Sequence, residues 1–284
     1  MQTAVMPRIL LLLLFFMDLN VVLAQQVATT AGSSKTVKAP AAALPADTAK
    51  LVETIRGSYY HPDTMSTLDC DVSVDWPAFF SSLKTELPAD RMKTIQGLKI
   101  RARASRGKIT DLTFDWSGGP LDNKDQFENG LKQMIGGFYQ IYWNVVSSSL
   151  IGTAAELNKI EPMPDGGTKV YTSSSNMSLI ITVDKSDTPT HFVLDSPALK
   201  GKIDARYLPS PNPTPGDLRR ISGMDLTEQI GTSTINLGLG LDYQTVDEFY
   251  VPRHVSFDIS GAYSLKMELS SCSASREKTV SETK

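Results

Sequence analysis

An α+β fold, in which a curved antiparallel sheet (an incomplete barrel) packs on one long helix and a few short ones, is the architecture this sequence predicts. Three observations lead to it. From residue 98 onward apolar and polar residues alternate with period two in stretch after stretch, the pattern of half-buried strands. Between residues 124 and 148 the apolar spacing switches to three and four, the pattern of one long amphipathic helix. Short turn signals such as Asp165-Gly166-Gly167 separate the alternating stretches, so neighbours run antiparallel. The strands number roughly eight to ten on this reading.

Residues 1–24 have the marks of a secretory signal peptide. Arg8 supplies the positive charge, Ile9 to Phe16 is an unbroken apolar run, and Val22-Leu23-Ala24 precede Gln25 as a cleavage site would. Asp18 interrupts the run, leaving it too short to span a bilayer. The expected location is therefore exported, in a periplasm or outside the cell, soluble after cleavage and without a transmembrane segment. Residues 25–46, rich in Ala, Thr, Ser and Lys, are expected to be a disordered leader. A single α+β domain follows over 47–272, with a flexible tail over 273–284.

The net charge of -3 gives no reason to expect nucleic acid as a partner. Two cysteines, Cys70 and Cys272, sit in an oxidising setting once the chain is exported. One disulfide between them is the plain reading, and two separate buried thiols the other. Three histidines, His61, His191 and His254, restrict metal and acid–base chemistry from the start.

Taken in order, Asp47 suits the N-cap of a helix in which Leu51, Val52, Ile55 and Tyr59 share one face. A strand follows, with Cys70, Val72 and Val74 alternating against Asp69, Asp71, Ser73 and Asp75. Trp76 to Leu87 reads as a second helical segment with Phe79, Phe80 and Leu83 inward. The clearest hairpin spans Leu98 to Trp116. With a three-residue loop at Arg106-Gly107-Lys108, Arg103 falls opposite Asp111, Lys99 opposite Asp115, Ile100 opposite Phe114 and Leu98 opposite Trp116. Charge and apolar matching agree on that register. The basic row Lys99, Arg101, Arg103 is thus read as a solvated, cross-strand-paired face rather than a polyanion site, and the acidic row Asp69, Asp71, Asp75 as a solvated face rather than a cation site.

In the long helix, about Lys124 to Ser148, Phe127, Leu131, Met134, Phe138, Ile141 or Tyr142, and Val145 form the apolar stripe. Gly136-Gly137 sit in its middle, at about 1 kcal/mol each relative to alanine, which points to a close approach to the backbone. Phe138, Tyr139, Tyr142 and Trp143 are the candidate ligand-binding residues: they either line an apolar cavity or are core packed on the sheet. Beyond Ala155, Met177 to Val183 and Ile235 to Tyr243 alternate cleanly. Val255 to Ile259 and Tyr263 to Leu269 keep one parity through Gly261, as one bent strand or two joined at a bulge. Pro209 to Pro215 is expected to be an extended loop.

Catalytic motifs are scarce. The S-x-x-K tetrad occurs at Ser81-Lys84, Ser105-Lys108 and Ser275-Lys278, and Ser174-Ser175-Asn176 resembles a second motif of the serine acyl-enzymes, but no K-T-G follows. No metal, cofactor or catalytic residue is assigned. Asn176-Met177-Ser178 matches the N-glycosylation pattern. An internal echo places Thr182-Val183-Asp184, Pro189 and His191 in the same spacing as Thr245-Val246-Asp247, Pro252 and His254, read as two hairpins on one template rather than a shared metal site.

Leu179-Ile180-Ile181-Thr182-Val183-Asp184 with Pro189, and Leu241-Asp242-Tyr243 with Tyr250-Val251-Pro252-Arg253-His254-Val255, resemble strand pairs of the periplasmic lipoprotein-carrier (Lol-type) superfamily. The resemblance covers about residues 155–270. It implies an incomplete antiparallel barrel with helices over its concave face and an apolar cavity for acyl chains; no site residue is carried over. The expected function is a non-catalytic envelope protein binding a lipid, lipoprotein or other apolar ligand between sheet and helix. A protein-interaction or structural module in the envelope, acting at an exposed sheet edge or the proline-rich loop, is the alternative, and a secreted serine hydrolase the remote one.

Overall fold

The computed structural model describes residues 47–105, 108–117, 121–149, 151, 157–174, 177–195, 200–208, 218–230, 233–259 and 263–276. The expected signal segment and leader, the expected 209–215 loop, Asn176 and residues 277–284 lie outside the described residues. In chain order the elements are helix α1 (Thr48–Arg56), strand β1 (Met65–Val74), helices α2 (Trp76–Ser82) and α3 (Ala89–Gln96), strands β2 (Leu98–Ser105) and β3 (Lys108–Trp116), and helix α4 (Lys124–Ile141) continued by a π turn (Tyr142–Val146). Nine strands complete it: β4 (Leu157–Pro162), β5 (Thr168–Ser174), β6 (Met177–Val183), β7 (Pro189–Asp195), β8 (Lys200–Leu208), β9 (Arg220–Ile230), β10 (Ser233–Val246), β11 (Phe249–Ile259) and β12 (Tyr263–Arg276).

The class is α+β, as the alternation implies. All twelve strands form one open sheet in the order β3-β2-β1-β12-β11-β10-β9-β8-β7-β6-β5-β4. Contacts divide the described residues into two compact units, 62–148 with 241–276, and 47–61 with 149–240.

In the first unit the earliest strand pairs with the last. Leu68, Cys70 and Val72 of β1 are buried, while on β12 the odd-numbered Leu265, Met267 and Leu269 are. A regular ladder would set Cys272 opposite Asp69, on the wrong face for Cys70. Instead Asp71 pairs with Ser270 and Asp69 with Ser273, so Ser271 and Cys272 together oppose Cys70 in a β-bulge. Ser271 takes the left-handed φ of 47° that such a bulge uses. The extra residue flips the parity of β12, and Cys272 forms a disulfide with Cys70, their Cα atoms 4.2 Å apart. Gln244 braces the bulge by donating to Leu269 O at 2.7 Å. Strand β12 continues to Arg276, four residues into the expected tail.

The β2–β3 hairpin has the register read from the sequence: Leu98 faces Trp116, Lys99 Asp115, Ile100 Phe114 and Arg103 Asp111. Its turn differs. Ser105 pairs with Lys108, and the register shifts between Arg103 and Ala104, so a shorter loop and a bulge replace the three-residue loop. Strands β11 and β12 are separate, with Ile259 facing Tyr263. Facing residues four apart keep the same parity, so alternation cannot separate this hairpin from a bent strand.

The expected Trp76–Leu87 helix ends at Ser82, where Lys84 takes a φ of 52°. Asp75 caps it, accepting from Ala78 N at 3.1 Å. Phe79 meets Tyr263 edge-on at 5.9 Å, seating α2 on β12. Helix α3 had no sequence counterpart, because Ile95 alone of its residues is buried. Phe127 joins α4 to Trp76 and Trp116, at 5.6 and 6.0 Å.

The second unit packs α1 on strands β4 to β8. Asp47 precedes α1 but makes no side-chain cap. Val52 and Ile55 lie among Leu157, Val170, Leu179, Ile181, Val183 and Phe192, with Ile203 and Ala205 at the margin. Tyr59 of the predicted face falls beyond the helix end and bridges Arg219 instead. Gly223 faces Gly240 on β10, and a Cβ there would sit 2.5 Å from Leu239 O, so no larger residue fits without moving the strand.

The disulfide closes a loop between residues 202 apart in sequence. Its loss in C70S/C272S is expected to cost about 2–5 kcal/mol, read from urea unfolding against wild type. Equal stability of the two proteins would show that the β1–β12 ladder needs no covalent clamp.

Candidate functional site

The four sequence-predicted ligand residues come together on one stretch of helix. Helix α4 is amphipathic in its first half, where Lys124, Asp125 and Lys132 are exposed and Leu131 is buried. From Gly137 to Val146 nearly every described side chain is buried, so the helix changes from surface cover to core. Phe138 and Tyr139 are 0% exposed, and Tyr142 and Trp143 are 1% exposed. Phe138 stands edge-on to Phe257 of β11 at 5.8 Å and 5.2 Å from Tyr139. It stacks on Tyr142 at 6.1 Å, and Tyr142 meets Trp143 at 5.7 Å.

The sequence was expected to continue as a regular helix to Ser148. It ends in a π turn at Tyr142–Val146, where Ser147 N donates to Tyr142 O at 2.7 Å. Widening the turn frees carbonyls, and serine hydroxyls take them up: Ser147 Oγ and Ser148 Oγ donate to Trp143 O at 3.1 and 2.5 Å. No apolar periodicity announces such a turn, although the Ser147-Ser148-Ser149 run supplies its hydroxyls.

Two donors in this cluster have no acceptor among the described residues: Tyr139 Oη and Trp143 Nε1. They lie four residues apart, on one helix face. A buried donor left unsatisfied costs about 1–3 kcal/mol, so such a pair is a cost the fold carries for a reason. Burial pushes the Tyr139 phenol far up from its ordinary value, with the charge of Asp69 adding to the shift, so it remains a protonated donor.

Asp69 itself overturns the expectation of a solvated acidic row. Its side chain is 10% exposed, and Oδ2 accepts from Arg103 Nε and Nη2 at 2.9 and 2.8 Å while Arg101 Nε lies 2.9 Å from Oδ1. Arg101 also donates to Asp71 at 2.8 Å. Two of the basic row, Arg101 and Arg103, are paired, and the carboxylates they meet, Asp69 and Asp71, lie on β1, whereas the sequence pointed to β3. Two strands flank β2, and alternation alone could not say which would supply the charge. Asp111 and Asp115 have no ion pair among the described residues.

The two echoed histidines each have a carboxylate partner of their own. His191 Nδ1 donates to Asp204 at 2.5 Å in the second unit, and His254 Nδ1 to Asp242 at 3.0 Å in the first. The echoed turns differ too: Asp184 Oδ1 accepts from Ser186 N and Thr188 N, whereas Asp247 turns directly with a φ of 53°. Among the described residues no group of three His, Cys, Asp or Glu could hold a metal. Ser81 and Lys84 meet only through the backbone, Lys84 N donating to Ser81 O at 2.9 Å as α2 ends.

No protein-family model and no curated protein matches the chain, so the chemistry of this site rests on its own residues.

The His254 hydrogen bond and the Tyr243 N–H hold the Asp242 carboxyl below its usual range. A depressed carboxyl stabilises the fold at pH above its unfolded value and loses that contribution as pH falls through its folded value. D242N is therefore expected to be less stable than wild type at neutral pH and to lose less stability on acidification below about pH 4, measured by urea unfolding across pH. Parallel pH profiles would contradict this.

Proposed function

We propose that this is an exported, non-catalytic envelope protein that holds an apolar ligand bearing a polar head, a lipid or a lipoprotein acyl chain, against the C-terminal half of α4. The observation that carries the reading is the pair of buried donors, Tyr139 Oη and Trp143 Nε1, that have no acceptor among the described residues and lie in a stretch of helix rich in buried aromatic and aliphatic side chains. An acyl chain fits the apolar surroundings, and an ester or carboxylate oxygen supplies the acceptor both donors lack. The Lol-type strand rhythm and the signal-like leader support the same reading, and a disulfide suits an oxidising compartment.

The aromatic rings are closed off in this structure, so uptake requires the segment to swing away from the sheet. Gly136-Gly137 precede it and its last two rings, Tyr142 and Trp143, lie in the π turn, the two kinds of position where helices bend. The unsatisfied donors lower the cost of that opening, because water meets them when the segment moves. A second reading, an interaction module, is favoured by the open edge of β3.

Two measurements test the ligand reading. Lipid extraction of natively purified protein is expected to release a bound acyl lipid. Y139F deletes the orphan hydroxyl and keeps the ring, so it is expected to unfold at the same or higher temperature while binding a fluorescent fatty acid about tenfold more weakly. Absence of extractable lipid together with unchanged fatty-acid affinity in Y139F would remove the proposal.

A further inference from the structure

The two ends of the sheet are treated differently. Strand β4, at one end, has six residues, ends in Pro162, shifts register between Leu157 and Lys159, and carries the Lys159–Glu161 pair. Each of these is a device that keeps an edge from recruiting another strand. Strand β3, at the other end, is longer at nine residues, and its charges from Asp111 to Trp116, on Asp111 and Asp115, are of one sign. It contains no proline, and its register shift is confined to the turn end of the hairpin. No described strand occupies its outer side.

The side chains along that edge are sorted by face. Leu112, Phe114 and Trp116 are half-buried on the face that α4 covers, where Lys132 and Lys124 lie over the Phe114 and Trp116 rings at 5.7 and 5.6 Å. Asp111, Thr113 and Asp115 are exposed on the other face. Lys99 and Arg103 of the neighbouring β2 face Asp115 and Asp111 across the ladder, but Arg101 and Arg103 are drawn toward Asp69 and Asp71 on the far side, and among the described residues neither Asp111 nor Asp115 forms an ion pair.

We propose that the outer edge of β3, from Asp111 to Trp116, is a docking site for an extended segment of a partner protein in which apolar residues alternate with lysine or arginine. Added as a further strand, such a segment completes the backbone hydrogen bonds of the edge. Its apolar residues extend the Leu112–Phe114–Trp116 row, and its cations stand beside Asp111 and Asp115. Opposite charges facing each other across strands are favourable and like charges are not. A second copy of β3 is excluded as the occupant on those grounds, since it would gather four carboxylates on one face.

The test uses the full exported chain and two short labelled peptides, one alternating valine with lysine and one alternating valine with glutamate, followed by fluorescence anisotropy at low ionic strength. The lysine peptide is expected to bind, at least about tenfold more tightly than the glutamate peptide. In D111K/D115K, whose folding is checked by circular dichroism, the preference is expected to reverse. Independently of any variant, amide exchange on wild type is expected to slow on β3 when the lysine peptide is added and to stay unchanged on β4. Equal binding of the two peptides, a preference untouched by D111K/D115K, protection away from β3, or self-association in place of peptide binding would each overturn the proposal.

Discussion

The pairing of the first strand with the last is the constraint on which the first unit depends. Strands β1 and β12 are joined by nothing local: their cysteines lie 202 residues apart, and bringing such distant segments together costs loop entropy that only a long ladder and a cross-link repay. The bulge at Ser271 makes the cross-link possible by turning Cys272 onto the face of Cys70. Before the bulge the ladder is regular, and the alternation of the two strands sets what lies on each side. Leu68, Cys70 and Val72 then point to one face with Leu265, Met267 and Leu269, and Asp69 and Asp71 to the other, where the arginines of β2 meet them.

The same arrangement explains why the long helix changes character along its length. Over β3 its amphipathic half places Lys124 and Lys132 on aromatic rings, and Glu128 accepts from Trp116 Nε1 at 2.6 Å. Beyond Gly137 it runs into core, where Phe138 reaches Phe257. A helix that is buried on every side must satisfy its polar groups internally. Ser147 and Ser148 take up the Trp143 carbonyl, while among the described residues the Tyr139 hydroxyl and the Trp143 indole, like Gln140 Oε1, have no partner. A fold selected for stability alone would place phenylalanine at residue 139, so the retained hydroxyl directs attention to this segment rather than to the histidines or the S-x-x-K tetrads.

Much of the architecture was legible beforehand. The β2–β3 register followed from charge and apolar matching, because cross-strand neighbours joined by a short turn are a nearly local matter. The same locality misled at the next level. Arg103 stands opposite Asp111 in the ladder yet bonds Asp69, since a strand has two neighbours and the more buried carboxylate offers the stronger attraction in a drier setting. Helix α3 escaped notice because a helix with one buried residue has no stripe to read, and the hairpin at Ile259 and Tyr263 because its two arms share parity.

Alternation and helical spacing by themselves determined the class of fold, the inward face of most strands, the position of the long helix and the grouping of Phe138, Tyr139, Tyr142 and Trp143. These are properties of a few consecutive residues and their preferred dihedral angles. Only the tertiary structure decided that twelve strands rather than fewer join one sheet, that β1 closes against β12, that Asp69 is buried beneath two arginines, and that two aromatic donors find no acceptor among the described residues. Each of those depends on which distant segments become neighbours, and that choice is made by the summed burial and hydrogen bonding of the whole chain, which no single window of sequence contains.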